Sequence, residues 1–258
     1  MGTPVVIAVA GKGGTGKTTI CGMLVRYLTE RGNRVLAVDA DPNSNLNEVL
    51  GVDVETTLGD IRETLAMKEL NADPIPGGMT KGEYAEFMMS GALTEQDDYD
   101  LLVMGRTQGA GCYCYVNGLL TTQIGRYSAN YDYIVVDNEA GLEHISRGVL
   151  PHIDILLMVS DASRRGIQAV GRVQSMVEEL KLNPKLQGVI VNRAPNGVLA
   201  DGVAEEIKLQ GLTLLGVLPQ DDTVYEYDAA GKATADVDEG NAVKRKLAEI
   251  VDKVLRSL

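Results

Sequence analysis

Tryptophan is absent from the chain and phenylalanine occurs once, at Phe87. A core must therefore be built from Val, Leu, Ile, Ala and Met, and apolar residues at 45% of 258 positions are enough for a sizeable one. Positive charge is also short: 24 Lys and Arg stand against 36 Asp and Glu, a net charge of −12. A protein that tracks a nucleic-acid backbone needs clustered positive charge, and no such block occurs, so nucleic acid is not an expected partner. No apolar run approaches the roughly 18 residues of a membrane span. The start of the chain has no basic segment leading into a leader-like apolar one. Three cysteines make no disulfide framework. The expectation is a cytoplasmic protein without a membrane partner.

Glycine is abundant, at 29 residues. Apolar runs of strand length alternate with helix-periodic stretches. Strands are predicted at about 4–10, 34–39, 101–104, 133–137, 153–159, 187–192 and 214–218. Helices are predicted at about 16–31, 58–70, 164–180, 200–209 and 241–256. The strands are continuously apolar rather than alternating, which marks a parallel sheet buried on both faces. The expected fold is α/β and doubly wound, with a mainly parallel sheet of about seven strands flanked by helices. One domain is expected over 1–258. Residues 71–98 break the pattern with Pro74, Pro76, Gly77, Gly78, Gly82 and Gly91 around Tyr84, Phe87, Met88 and Met89. They are expected to form an insertion at the sheet edge or at an interface. The last helix carries Val243, Leu247, Ile250, Val251, Val254 and Leu255 on one face and is expected to dock on the sheet.

Gly11-Lys12-Gly13-Gly14-Thr15-Gly16-Lys17-Thr18-Thr19 fills the phosphate-loop pattern G-x-x-x-x-G-K-[ST] between a predicted strand and a predicted helix. The glycines let backbone N–H groups converge on an anion, and the helix adds its positive end. Lys17 is expected to neutralise the outer phosphates of a nucleoside triphosphate, and the Thr18 hydroxyl to ligate Mg²⁺. Asp39-Ala40-Asp41-Pro42-Asn43 follows the second strand. Carboxylates there face the ligand crevice of an α/β sheet, one suited to the Mg²⁺ hydration shell and one to the attacking water. An ordinary Asp-Pro turn is the alternative. Tyr133-Ile134-Val135-Val136-Asp137 reads as a strand ending in a Mg²⁺-directed carboxylate, or as a helix N-cap. Cys112 and Cys114 lie two apart in a glycine-rich loop near 105–118. In extended chain both thiols share a face. Two sulfurs leave a four-coordinate site half built, and a symmetric dimer would complete it with Ni²⁺ or Zn²⁺ on its axis. Thiols without a metal role are the alternative. Cys21, on the first helix, reads as core, and His144 and His152 as structural.

The stretch K-G-G-T-G-K-T-T resembles the deviant Walker A loop of the MinD/ParA/nitrogenase-iron-protein ATPases. That resemblance implies ATP and ADP as ligands and a face-to-face homodimer in which Lys12 reaches the partner's nucleotide. It implies that Lys12, Lys17 and Asp41 are catalytic, with Asp41 positioning water and Asp39 beside the metal. Asn138-Glu139-Ala140-Gly141 matches the position of its second switch. Asn192 would read the adenine edge, with Arg193 beside it and Pro219 in the loop that wraps the base. A C-x-C loop joined to this core resembles the CooC-type accessory proteins of carbon monoxide dehydrogenase maturation. The implied function is an ATP-hydrolysing metallochaperone that helps insert nickel into carbon monoxide dehydrogenase. A partition or positioning ATPase without a metal role, and a small-molecule ligase or kinase, are the rival readings.

Overall fold

The computed structural model describes residues 3–71, 73–106, 114–139, 150 and 152–258, with Cys114 and Tyr115 described by their backbone alone. Eight strands form one sheet among the described residues: β1 (Val5–Gly11), β2 (Val35–Asp39), β3 (Leu93–Glu95), β4 (Tyr99–Val103), β5 (Tyr133–Asp137), β6 (Ile155–Asp161), β7 (Leu186–Ala194) and β8 (Leu214–Pro219). Their order is β3-β4-β2-β5-β1-β6-β7-β8. Every pair is parallel except β3–β4. The helices are α1 (Lys17–Thr29), α2 (Leu46–Leu50), α3 (Leu58–Asn71), α4 (Lys81–Ser90), α5 (Cys114–Tyr127), α6 (Arg164–Glu179), α7 (Asp201–Leu209), α8 (Asp222–Ala229) and α9 (Ala242–Leu255).

The period of two along β1 sends its side chains to opposite cores. Val6, Ala8 and Ala10 pack with Leu58, Ile61, Val116, Ile124, Ile167 and Ile207 of α3, α5, α6 and α7. Ile7 and Val9 pack with Ile20, Leu24, Leu28, Leu247 and Val251 of α1 and α9. Both faces are therefore covered, as the continuously apolar strands require. The apolar face of α9 is buried at Val243, Leu247, Ile250, Val251 and Val254. Among the described residues no helix is long and apolar enough to cross a membrane.

The eighth strand, β3, is absent from the sequence expectation. At three residues it is too short to show a period, and it pairs antiparallel with β4 at the sheet edge. With α4 it occupies the stretch 71–98. The start of α4 is set by a capping box, Thr80 accepting from the Glu83 N–H and Glu83 from the Thr80 N–H. α5 was also unexpected. It holds Gly118, Gly125 and two threonines, and burial of Val116, Leu120 and Ile124 holds it in place of propensity.

One residue of α5 sits uneasily. Gln123 is fully buried, and neither its Oε1 nor its Nε2 has a hydrogen-bond partner among the described residues. A buried unmade hydrogen bond costs roughly 1–3 kcal/mol. Gln123→Met, similar in length and apolar, is expected to raise the melting temperature by roughly 2–12 °C for a chain of this size. A lower melting temperature by calorimetry would show that the amide has a partner in solution.

Candidate functional site

The carboxyl ends of the parallel strands bring the expected nucleotide residues to one crevice. β1 ends at Gly11, β2 at Asp39 and β5 at Asp137, while Asn192 and Pro219 lie at the ends of β7 and β8. β1 lies between β5 and β6, so connections diverge around it. Such a switch point is where open α/β sheets hold ligands.

The loop from β1 to α1 needs its glycines. Gly11 has φ +147°, and a Cβ there would lie 2.2 Å from the Val159 carbonyl oxygen of β6. Gly16, at φ 88°, is the N-cap of α1 and supplies no side chain to the first turn. The orphan N–H groups of that turn are thus available to a phosphate. Lys17 is buried, its Nζ donating to the Lys12 carbonyl oxygen at 3.3 Å. The Thr15 hydroxyl donates to the same oxygen at 2.9 Å, which closes the loop on itself. Gly13, Gly14 and the Lys12 side chain face solvent.

Asp39 and Asp137 are directly paired across β2 and β5. Both are at most 1% exposed. Asp39 accepts the N–H groups of Asp41 at 3.0 Å and Leu46 at 2.9 Å, but burial pushes its pKa up to about 6. Burial and then the neighbouring Asp39 push Asp137 further, to about 7, against the pull of the Thr18 hydroxyl and Lys17. Asp137 Oδ1 is buried with no hydrogen-bond partner among the described residues. Two desolvated carboxylates and an orphan oxygen beside a threonine hydroxyl form a donor set suited to Mg²⁺, a hard cation that prefers oxygen. Asp41 is half-buried at the next turn. Its Oδ1 accepts both the N–H (2.8 Å) and the Nδ2 (3.1 Å) of Asn43. The turn alternative therefore describes part of its environment. Its charge nevertheless reaches the buried pair and raises both pKa values.

Asn192 is tied to the phosphate loop. Its Nδ2 donates to the Thr15 carbonyl oxygen at 2.9 Å and its Oδ1 accepts the Arg193 N–H at 2.9 Å. Arg193 takes a left-handed φ of 56°, and its Nη1 donates to the Gly14 carbonyl oxygen at 3.1 Å. These two residues therefore brace the loop from the far side. A cavity of about 540 Å³ opens beside them, bounded by Thr19, Ile20, Asn192, Pro219, Asp221 and Tyr225. A larger one of about 880 Å³ runs over Gly16, Lys17, Thr18 and Thr19 toward Glu48 and Lys232. Together they offer one recess beside Asn192 and Pro219 and another over the phosphate loop, both along the start of α1.

Asp221, two residues after Pro219 in the loop expected to wrap the base, caps α8 by accepting the Val224 N–H at 3.0 Å. Sequence reasoning missed Glu48, Tyr225 and Lys232, which line these walls and carried no local signal. Cys112, Gly141 and His144 lie outside the described residues, as does the Cys114 side chain, although the Cys114 backbone opens α5. Among the described residues no group of three or more His, Cys, Asp or Glu is arranged to hold a metal. Cys21 is fully buried in the core. His152 lies just before β6, at the end of the strands opposite the crevice, its Nε2 3.3 Å from Asp154.

Comparison with known proteins agrees with this geometry. The family model described as the CobQ/CobB/MinD/ParA nucleotide binding domain matches residues 6–235. An uncharacterised ATP-binding protein of Methanocaldococcus jannaschii is 42% identical over 252 residues, covering 97% of this chain and 98% of the relative. The carbon monoxide dehydrogenase accessory protein CooC of Rhodospirillum rubrum is 30% identical over 261 residues, covering 95% and 97%. The septum site-determining protein MinD of Pyrococcus horikoshii, solved with Mg-ADP, superposes with a TM-score of 0.69 at 26% identity, covering 98% of this chain and 97% of that one.

Proposed function

Because this chain belongs to the CobQ/CobB/MinD/ParA nucleotide-binding family and is an ATPase of the MinD/ParA type, we propose that its hydrolysis of ATP drives metal delivery. The cargo is nickel, the target is carbon monoxide dehydrogenase, and the working unit is a homodimer. The observation that carries this reading is the pair Cys112, on the connection from β4 to α5, and Cys114, the first residue of α5, in a chain alignable over nearly its whole length with CooC. β4 is the immediate neighbour of β2, which ends at Asp39, so the cysteine connection leaves the sheet next to the nucleotide crevice.

Each residue has a defined part. The loop N–H groups and Lys17 hold the phosphates. Thr18 and Asp137 would hold Mg²⁺, with Asp39 bonding its water shell; the ion, when bound, neutralises phosphate charge. Asp41 orients the water that attacks the γ-phosphorus, giving ADP and phosphate. Asn192, Arg193 and Pro219 flank the base, with Thr19 below it. Exposed Lys12 reaches across the dimer to the partner's phosphates. Two thiolates from each subunit complete a four-sulfur site, which Zn²⁺ fills as readily as Ni²⁺.

Lys12→Ala is expected to keep ATP binding within a few-fold and to slow hydrolysis by about 10²–10³, the usual effect of losing one charge-stabilising group. Equal loss of binding would place Lys12 in its own subunit's site instead. The central test is titration with Ni²⁺ or Zn²⁺, with and without ATP, followed by sizing. One tight ion per dimer, lost in Cys112→Ala/Cys114→Ala, is the expected result. Metal binding indifferent to that double change would overturn the reading in favour of a scaffold ATPase.

A further inference from the structure

The turn after β2 touches more than the nucleotide crevice. Asn43 donates twice to Asp41 Oδ1, and its own Oδ1 accepts from Arg106 Nη2 at 2.7 Å. Ser44 adds a second contact. Its hydroxyl accepts the Gly105 N–H at 3.2 Å and donates to the Asp41 carbonyl oxygen at 3.2 Å. Ser44 holds a left-handed φ of 50°, unusual for a residue with a side chain and sustained only where surrounding contacts enforce it. On the other side, Met104 accepts the Gly59 N–H of α3 at 2.8 Å. A Cβ on Gly105 would lie 2.2 Å from Thr57 Oγ1, so residues 104–106 are held tightly between the turn and the start of α3. Cys112 lies six residues beyond Arg106 in the same connection.

We propose that Asn43, Ser44 and Arg106 form a latch by which the nucleotide bound in the crevice controls the cysteine-bearing connection. The inference rests on the metal-delivery reading and supplies its transmission. Asp41 Oδ1 is the shared element. It bonds Asn43 in this structure, and an attacking water beside the γ-phosphate competes for the same carboxylate. When Asp41 turns to that water, Asn43 loses both its anchors, and its grip on Arg106 changes with them. ADP leaves no γ-phosphate water to compete, so the latch stays made. A ligand shifts such an equilibrium only by its different affinity for the two arrangements, and competition for one oxygen supplies that difference.

The test uses the full chain and the reaction rate of Cys112 and Cys114 with a thiol reagent, under saturating Mg-ADP or a non-hydrolysable Mg-ATP analogue. Cys21 is fully buried and does not contribute a fast phase. In the wild type the two rates should differ by about fivefold or more, the lower range of site-to-site coupling. Asn43→Ala, Ser44→Ala and Arg106→Ala should each bring the ratio toward one while analogue affinity stays within about threefold. Asn43→Ala/Arg106→Ala should do no more than either alone, because both break one contact. Arg106→Lys, which keeps the charge, should restore part of the ratio. A wild-type ratio that survives all three alanine variants overturns the latch and leaves the metal-delivery reading standing. A wild-type ratio of one overturns the latch too. If metal affinity is then also blind to nucleotide, coupled delivery fails with it.

Discussion

Asp137→Asn should yield a protein that melts higher than the wild type at pH 8 in the absence of nucleotide, yet fails to hydrolyse ATP. The reason is the buried pair. Asp137 is held at a pKa of about 7 by burial and by Asp39, well above an unfolded aspartate near 3.9. A carboxylate raised by folding favours the folded state while protonated. That contribution is fully present below about pH 4, shrinks as pH rises through 7 and is gone above it. Above pH 7 the folded protein therefore carries an ionised Asp137 beside an ionised Asp39, with an orphan Oδ1. Three pKa units correspond to about 4 kcal/mol, so neutralising the group should recover roughly 2–4 kcal/mol, or about 4–16 °C. The gain should vanish near pH 4. Mg-ADP should raise the wild-type melting temperature and leave the variant's almost unmoved. A gain of equal size at pH 4 and pH 8 would show that packing, rather than charge, is responsible.

This trade of stability for a cation site was half legible. Asp39 and Asp137 each terminate an apolar run, and the rule that ligands bind at strand carboxyl ends places them in the crevice. Their direct pairing was not legible, because β5 inserts between β1 and β2 from about a hundred residues downstream. The phosphate loop was legible because its signal is local: glycine positions, a lysine and a threonine within one turn. Asn192 was legible as a strand end, but its hold on Thr15 spans 177 residues and carries no trace in either segment. The same holds for Arg106 and Asn43, 63 residues apart. Sheet and helix layers follow from periodicity; hydrogen bonds between loops follow from the finished fold. α5 shows the converse limit, a helix whose glycines and threonines argue against it and whose buried face overrules them.

Gly16 joins the local and the distant parts of the site, and its replacement should have the largest effect on nucleotide binding. A Cβ there would lie 2.4 Å from Asn192 Nδ2, and φ 88° is left-handed. Gly16→Ala therefore faces two separate penalties. The dihedral costs roughly 1–2 kcal/mol. The clash forces Asn192 away from Thr15, which opens the loop behind Lys17. The expected loss of Mg-ATP affinity by calorimetry is about 10²-fold or more, with the fold retained by circular dichroism. Asn192→Ala alone removes the brace, worth roughly 1 kcal/mol for one hydrogen bond, and should weaken ATP by about five- to tenfold. Gly16→Ala/Asn192→Ala removes the clash and keeps the dihedral penalty and the loss of the brace. It should bind ATP more tightly than Gly16→Ala, so that the second change repairs the first. If the double variant binds more weakly than either single one, the two residues act independently and the brace is not what holds the loop. The same series separates the two parts given to Asn192. A brace affects ATP and GTP alike, whereas a reader of the adenine edge makes Asn192→Ala lose ATP preferentially. An unchanged ATP-to-GTP preference would leave Asn192 as a brace alone.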